Sequence, residues 1–101
     1  WNVTVQEVTP GRGNIWASRK GGGVTLSTHL DTVPPYVPPR REHGRLYGRG
    51  TADDKAGVMA HVTALRALLP AWGADGGVGV VVLVEGEEES GSPSLPDLLT
   101  T

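Results

Sequence analysis

Histidine and acidic residues that could bind metal ions or move protons fall in three short segments of the 101-residue chain. Segment 27–34 carries His29 and Asp31, segment 47–57 carries Asp53 and Asp54, and segment 85–92 carries Glu87, Glu88 and Glu89. The first and third segments each close an apolar, strand-like run, and the second joins a glycine-rich turn to a helix. Imidazole nitrogens and carboxylate oxygens at the ends of such elements are typical ligands of divalent cations.

His29 and Asp31 are two residues apart, so their side chains face the same side of an extended segment. An imidazole that binds a metal ion through one nitrogen usually donates its other N–H to a carboxylate, and Asp31 could accept it. The alternative is a histidine at a strand end whose nitrogens bond to backbone groups. Taken by itself, the pair favours this alternative.

Asp53 and Asp54 are adjacent on a turn that enters the helix, so the two carboxylates cannot point the same way. One could reach the strand ends and bridge two cations about 3.5–4 Å apart. The other would cap the helix or stay in solvent, and a simple capped surface helix remains the alternative. We expect Lys55 to be solvated and His61 to be packed or exposed rather than a ligand.

The acidic run after the last apolar segment is the cluster least expected in a purely structural turn. Its four acids repel one another and raise one another's pKa values unless a cation is present. They are Glu85, Glu87, Glu88 and Glu89. With a metal ion, one glutamate could coordinate while a neighbour accepts a proton from the activated water, and Gly91 allows the sharp turn. A solvated acidic turn is the alternative.

Periodicity predicts the elements that position these side chains. Strands are expected at 1–8, 14–18, 24–30 and 78–84, and the last is continuously apolar, as in a central strand covered on both faces. A helix is expected over Asp53–Leu69, stopped by Pro70, with one apolar face formed by Val58, Val62, Leu65 and Leu69. The order strand, helix, strand, with ligands at the strand ends, predicts an open α/β sheet with its site at that edge.

Three connections complete the predicted domain. The glycines at 21–23 indicate a hairpin between the second and third strands. The proline-rich segment 32–44 indicates a stiff loop. Ser94 is the expected cap of a short helix in the tail.

Composition excludes several classes of function. A formal charge of −2, from 9 basic and 11 acidic residues, indicates neither nucleic acid nor an anionic membrane as partner. The absence of cysteine excludes disulfides, thiolate nucleophiles and sulfur-ligated zinc. The apolar run 78–84 is far shorter than the ~20 residues of a membrane span. Neither the serine-nucleophile elbow nor the phosphate-loop motif occurs.

Taken together, segments 27–34, 47–57 and 86–92 resemble the zinc aminoacylase and carboxypeptidase family, which includes acetylornithine deacetylase, succinyl-diaminopimelate desuccinylase, carboxypeptidase G and carnosine dipeptidase. The resemblance implies that His29 and Glu89 each bind one zinc ion and that Asp53 bridges both. It implies that Asp31 orients His29, that Glu88 is the general base, and that a cis peptide joins Asp53 to Asp54. Glu87 receives no role from it.

The resemblance also implies what kind of protein this is. We expect residues 1–101 to be the amino-terminal part of an α/β, zinc-peptidase-like catalytic domain, a mixed sheet with one long helix, without the family's lid and dimerisation domain. The expected activity is hydrolysis of amide or peptide bonds by a water bridging two zinc ions, with cobalt or manganese as possible substitutes. The expected substrate is a small N-acyl amino acid or peptide, the location cytoplasmic, and family members are often homodimers. The alternative is a non-catalytic fragment or paralogue that binds metal weakly.

Overall fold

A four-stranded mixed sheet forms the centre of the computed structural model, which describes residues 1–21 and 23–100. Its strands are β1 (Asn2–Gln6), β2 (Asn14–Arg19), β3 (Val24–His29) and β6 (Val80–Glu85), in the spatial order β1-β2-β6-β3. β6 runs parallel to β3 and antiparallel to β2, and β2 is antiparallel to β1. The fold is therefore α/β, as predicted.

β6 is the central strand because its valines and leucine suit a pleated surface with neighbours on both sides. Val80, Val81 and Leu83 are buried there, and Leu98 of the tail joins them in the core. In the parallel pair, His29 lies opposite Glu85, so β3 and β6 end at the same level. The segments that follow these two strands therefore leave the sheet at one edge.

The predicted hairpin between the second and third strands is wrong, because β6 lies between β2 and β3. β2 satisfies its hydrogen bonds with β1 on one side and β6 on the other. β3 starts beside β6 instead, where the Val24 N–H donates to the Gly79 carbonyl at 3.0 Å. The most apolar strand thus takes one of the two inner positions of the sheet, between β2 and β3.

The long helix α1 (Lys55–Trp72) differs from the prediction at both ends. Asp54 has φ −134°, which is not helical, so the helix begins after the two aspartates. Pro70 lies within the helix rather than stopping it, because a proline in the last turn removes only one helical hydrogen bond. The helix ends at Gly73, which has φ 71° and donates its N–H to the Leu69 carbonyl.

The predicted inward face of α1 is confirmed at Val58, Leu65 and Leu69 and is wrong at Val62. Val62 is 38% exposed. The half-buried positions instead follow one another at helical spacing through Val58, His61, Leu65, Leu69 and Trp72. Trp72 meets β2, where the Arg19 guanidinium lies 5.4 Å from the centroid of its ring.

The remaining elements are short. β4 (Arg40–Glu42) and β5 (Arg45–Tyr47) form an exposed hairpin, part of it inside the segment predicted to be a loop. A 3₁₀ turn (Glu88–Ser90) follows β6, and α2 (Leu95–Leu99) is the predicted tail helix. Within the described parts of the chain, α1 and α2 lack the combination of length and apolar character that a bilayer span requires.

Candidate active site

His29 lies at the end of β3 and is buried. Its Nδ1 is 2.9 Å from the backbone carbonyl of Asp31. Since a carbonyl oxygen only accepts, Nδ1 carries the proton and donates it there, which leaves Nε2 as the nitrogen that can bind a cation. The Asp31 carboxylate also faces Nδ1, with Oδ1 at 3.3 Å.

The Nε2 atom of His29 points at acidic oxygens. Asp53 Oδ1 lies 2.9 Å from it, and Glu88 Oε2 lies 3.5 Å from it. A neutral imidazole whose proton is on Nδ1 would here present a lone pair to carboxylates, which repel it. The contact is therefore favourable only with a proton or a metal ion at Nε2.

The pKa of His29 reflects this arrangement. Burial lowers the pKa, but the hydrogen bond to the Asp31 carbonyl, the one to Asp53 and the charge of Glu88 raise it more, so the net pKa is raised above 6.5. The protein thus stabilises positive charge on this ring. A metal ion at Nε2 would supply the same charge.

Asp31 holds the acidic turn as well as the histidine. Its carboxylate is buried and accepts the backbone N–H of Glu88 at 3.1 Å and that of Glu89 at 2.9 Å. Asp31, which contacts the His29 ring, therefore also fixes the backbone positions of Glu88 and Glu89. Two segments that follow neighbouring strands are joined through one side chain.

The adjacent aspartates point in different directions, as expected, and a cis peptide bond joins them. The Asp53 side chain is 73% exposed and faces His29. Asp54 is the residue before the helix, but its Oδ2 accepts the backbone N–H of His29 at 3.2 Å rather than capping the helix. Gly57 leaves room for this, since a Cβ there would lie 2.2 Å from Asp54 Oδ1.

Glu89 completes the cluster. Its pKa is raised above 4.5, first by burial and then by the charge of Asp53, a hydrogen bond with Asp53 and the charge of Glu88, while His29 opposes the shift. Ligand atoms of His29, Glu88 and Glu89 lie within 4.8 Å of one another. One imidazole nitrogen with crowded carboxylates fits a divalent cation, because a cation would remove the repulsion that raises the pKa of Glu89.

The structure thus brings all five predicted site residues, His29, Asp31, Asp53, Glu88 and Glu89, to one edge of the sheet. Lys55, expected in solvent, is exposed, yet its Nζ donates to the Leu30 carbonyl at 3.1 Å. His61 lies away from this cluster, half-buried on the inward face of α1, with a buried Nδ1 that has no hydrogen-bond partner among the described residues.

Sequence reasoning missed the role of Glu87. It is buried, and its Oε2 accepts the Ser94 hydroxyl proton at 2.9 Å. Ser94 precedes α2 as predicted, but its hydroxyl bonds to Glu87 and Asn14 instead of capping the helix. The bond between Asn14 and Ser94 joins residues 80 positions apart, and such a contact leaves no signal in a local pattern.

The chain is similar in sequence to several known proteins. The sequence profile of peptidase family M20/M25/M40 matches residues 25–100. A Pyrobaculum aerophilum protein described as a LysW-lysine/LysW-ornithine hydrolase is 36% identical over 96 residues, which are 84% of this chain and 27% of that protein. Succinyl-diaminopimelate desuccinylase of Xylella fastidiosa is 38% identical over 87 residues, covering 74% of this chain and 23% of the enzyme.

A solved structure is also similar. Human carnosine dipeptidase 1 superposes with a TM-score of 0.66 and 29% sequence identity, over 97% of this chain and 25% of that one. The chain thus spans about a quarter of the length of the relatives that it matches. The resemblance expected from the three motifs is confirmed, and the chain belongs to peptidase family M20/M25/M40.

Proposed function

We propose that this chain supplies part of the active site of a metal-dependent hydrolase of amide or peptide bonds. The observation that carries the proposal is the meeting of His29 Nε2 with Asp53 Oδ1 at 2.9 Å and Glu88 Oε2 at 3.5 Å. Nε2 requires positive charge in this position, and the acids around it can hold a metal ion. Membership of the peptidase family supports the same chemistry.

Two zinc ions are the cofactors that we propose, with cobalt and manganese as substitutes that the same donor types accept. His29 and Asp53 would hold one ion, and Asp53 and Glu89 the other. The charge of Asp53 contributes to the raised pKa of Glu89, so the two carboxylates are near each other, which supports a bridging place for Asp53. Because catalytic zinc usually has three protein ligands, each ion would need a further ligand from elsewhere in the protein.

When bound, such ions would lower the pKa of a water molecule and polarise the carbonyl of the scissile amide. Glu88 is the residue of this chain that would move the proton. Its partly exposed carboxylate faces Nε2 of His29, so it can accept a proton from the attacking water and pass it to the departing amine. Asp31 would keep His29 and the backbone of Glu88 in place during this transfer.

The proposed substrate is a small N-acyl amino acid or a short peptide. Similarity to a desuccinylase and to a dipeptidase supports both. Both names describe hydrolysis of an amide bond, and the cluster of His29, Asp53, Glu88 and Glu89 could serve either reaction. A cytoplasmic location and a homodimer remain predictions.

An alternative is a chain that binds metal weakly and does not catalyse hydrolysis. The number of ligands favours it, since this chain gives each proposed ion only two. Zinc titration of the full-length protein separates the two functions. Two ions bound with micromolar or tighter affinity contradict the alternative, and millimolar affinity supports it.

The direct test replaces Glu88 with Gln in the full-length protein loaded with zinc. Gln keeps the size of the side chain but cannot accept the proton, so hydrolysis of N-succinyl and N-acetyl amino acids and of dipeptides should fall by about 10²–10⁴-fold. Zinc content, measured by elemental analysis, should not change. Glu42→Gln, on the exposed β4–β5 hairpin, is the matched control and should keep full activity. Hydrolysis at the parent rate by Glu88→Gln would refute the assignment.

A further inference from the structure

The acidic turn after β6 is held by a buried hydrogen-bond chain that the proposed chemistry does not use. The chain runs through Asn14 at the start of β2, Ser94 before α2, and Glu87. These residues are 2%, 4% and 6% exposed, respectively. Burial of three polar side chains at one place is favourable only when their hydrogen bonds are made.

The direction of each bond in this chain is fixed. The Gly86 N–H can only donate, so Asn14 Oδ1 accepts it at 3.0 Å. The Asn14 amide nitrogen then donates to Ser94 Oγ at 2.9 Å and to Gln6 Oε1 at 2.8 Å. Ser94 donates its own proton to Glu87 Oε2 at 2.9 Å, because a carboxylate only accepts.

These hydrogen bonds hold two successive residues of the turn, Gly86 and Glu87, in place. Asn14 holds Gly86 through its backbone, and Ser94 holds Glu87 through its side chain. Asp31 holds the backbone of the next two residues, Glu88 and Glu89. Four residues in a row, 86–89, are therefore each held by a side chain from another part of the fold.

We propose that Asn14, Ser94 and Glu87 are positioning residues, which fix the first half of the acidic turn so that Glu88 and Glu89 face His29 and Asp53. The inference rests on the proposed function, in which Glu88 moves the proton and Glu89 binds an ion. Close packing supports it, since a Cβ at Gly86 would lie 2.5 Å from the Gly13 carbonyl oxygen. The backbone of the turn therefore cannot move closer to Gly13.

Ser94→Ala in the full-length protein tests the proposal, because it cuts the chain and leaves Oε2 of Glu87 without this donor. We expect exchange of the Glu88 and Glu89 amide hydrogens to become at least tenfold faster. Zinc affinity, measured by chelator competition, should fall about 10- to 100-fold, as for other residues that support metal ligands. At saturating zinc, kcat should fall by a similar factor and KM should stay within about twofold, since the substrate is not touched.

Two further variants separate positioning from general loss of stability. Thr100→Ala removes another hydroxyl beside the same helix, an exposed one bonded to Pro96 and Asp97, and should change none of the readouts. Glu87→Gln keeps an acceptor for Ser94 and should remain within about threefold of the parent. Glu87→Asp shortens the side chain by one methylene, so its carboxylate cannot reach Ser94. If Ser94→Ala does not fold, Glu87→Asp tests the positioning role by the same readouts.

Unchanged amide exchange and unchanged zinc affinity in the folded Ser94→Ala variant, or in Glu87→Asp in its place, would overturn the proposal. Neither of these readouts depends on hydrolysis. If both respond as expected while the zinc-loaded parent cleaves none of the tested amides, the positioning role is supported and the proposed function fails.

Discussion

Protons and metal ions compete for His29 and Glu89. Both side chains have raised pKa values, His29 above 6.5 and Glu89 above 4.5, so the metal-free fold favours their protonated forms. By linkage, this contribution to the free energy of unfolding is present at low pH and is lost as the pH rises through the raised pKa values. A bound cation reverses the preference, because it needs both groups deprotonated.

We therefore predict that zinc affinity rises with pH up to the raised pKa of His29, and rises most steeply at the acid end of this range, where Glu89 is protonated as well. The change should approach about tenfold per pH unit for each proton displaced. Isothermal titration in two buffers of different ionisation enthalpy would measure both the affinity and the protons released. A constant affinity between about pH 5.5 and 6.5, where His29 is protonated without metal, would show that His29 does not bind the ion.

Replacing Asp53 with Asn tests the bridging role. A neutral amide cannot hold two cations through one group, so bound zinc should fall from two ions to one or fewer. The Asp53 side chain is 73% exposed, and the free energy of unfolding of the metal-free protein should change by about 0.5 kcal/mol or less. Asp75→Asn, on the loop after α1, is the control. Two zinc ions bound as tightly as in the parent would contradict the role.

At the level of single residues, the sequence indicated which side chains meet, because each lies in a short recognisable motif. These side chains are His29, Asp31, Asp53, Glu88 and Glu89. It did not indicate Asn14, Ser94 and Glu87, whose bonds join the beginning of the chain to its end. An asparagine at a strand start has several common local uses. Which of these uses Asn14 has here follows only from the tertiary structure, which brings Ser94, before α2, next to it.

Between elements, the entry into α1 is the contact on which the site depends most. Glycine in a helix normally destabilises it by about 0.5–1 kcal/mol relative to alanine. Gly57 is nevertheless suited to its position, since a Cβ there would collide with the Asp54 carboxylate that accepts the His29 N–H. The space at Gly57 thus sets the distance between the helix and the end of β3.

We predict that Gly57→Ala lowers hydrolysis by about tenfold or more and does not raise the thermal unfolding temperature, despite the better helix former. Thr63→Ala, at an exposed position of the same helix, should leave hydrolysis unchanged and should add a few tenths of a kcal/mol to the free energy of unfolding. Steady-state kinetics and thermal unfolding measure both. A more stable and fully active Gly57→Ala protein would show that Asp54 does not need its present place.

The elements themselves were predictable where one signal dominated. Seven apolar or glycine positions in a row marked the central strand, and helical spacing marked α1. The place of His61 instead of Val62 on its inward face was not predictable, because side-chain type favours the valine there and left the histidine either packed or exposed. The order of strands also needed tertiary information, since the glycine turn after β2 is compatible with a hairpin and with a crossover.

For the whole molecule, the site exists because two parallel strands end at the same level. β3 delivers His29 and Asp31, β6 delivers the acidic turn, and the segment before α1 delivers Asp53 between them. The charge of −2 is small, so binding depends on this local arrangement and not on the field of the whole chain. The positions of the metal ions are accordingly the central claim.

Anomalous X-ray diffraction at the zinc edge, from crystals of the full-length protein grown with zinc, tests this claim most directly. We predict two peaks about 3.5–4 Å apart, with the Asp53 carboxylate between them, His29 Nε2 on one ion and Glu89 on the other. Peaks that contact neither His29 nor Glu89, or no peak at this edge of the sheet, would contradict the account.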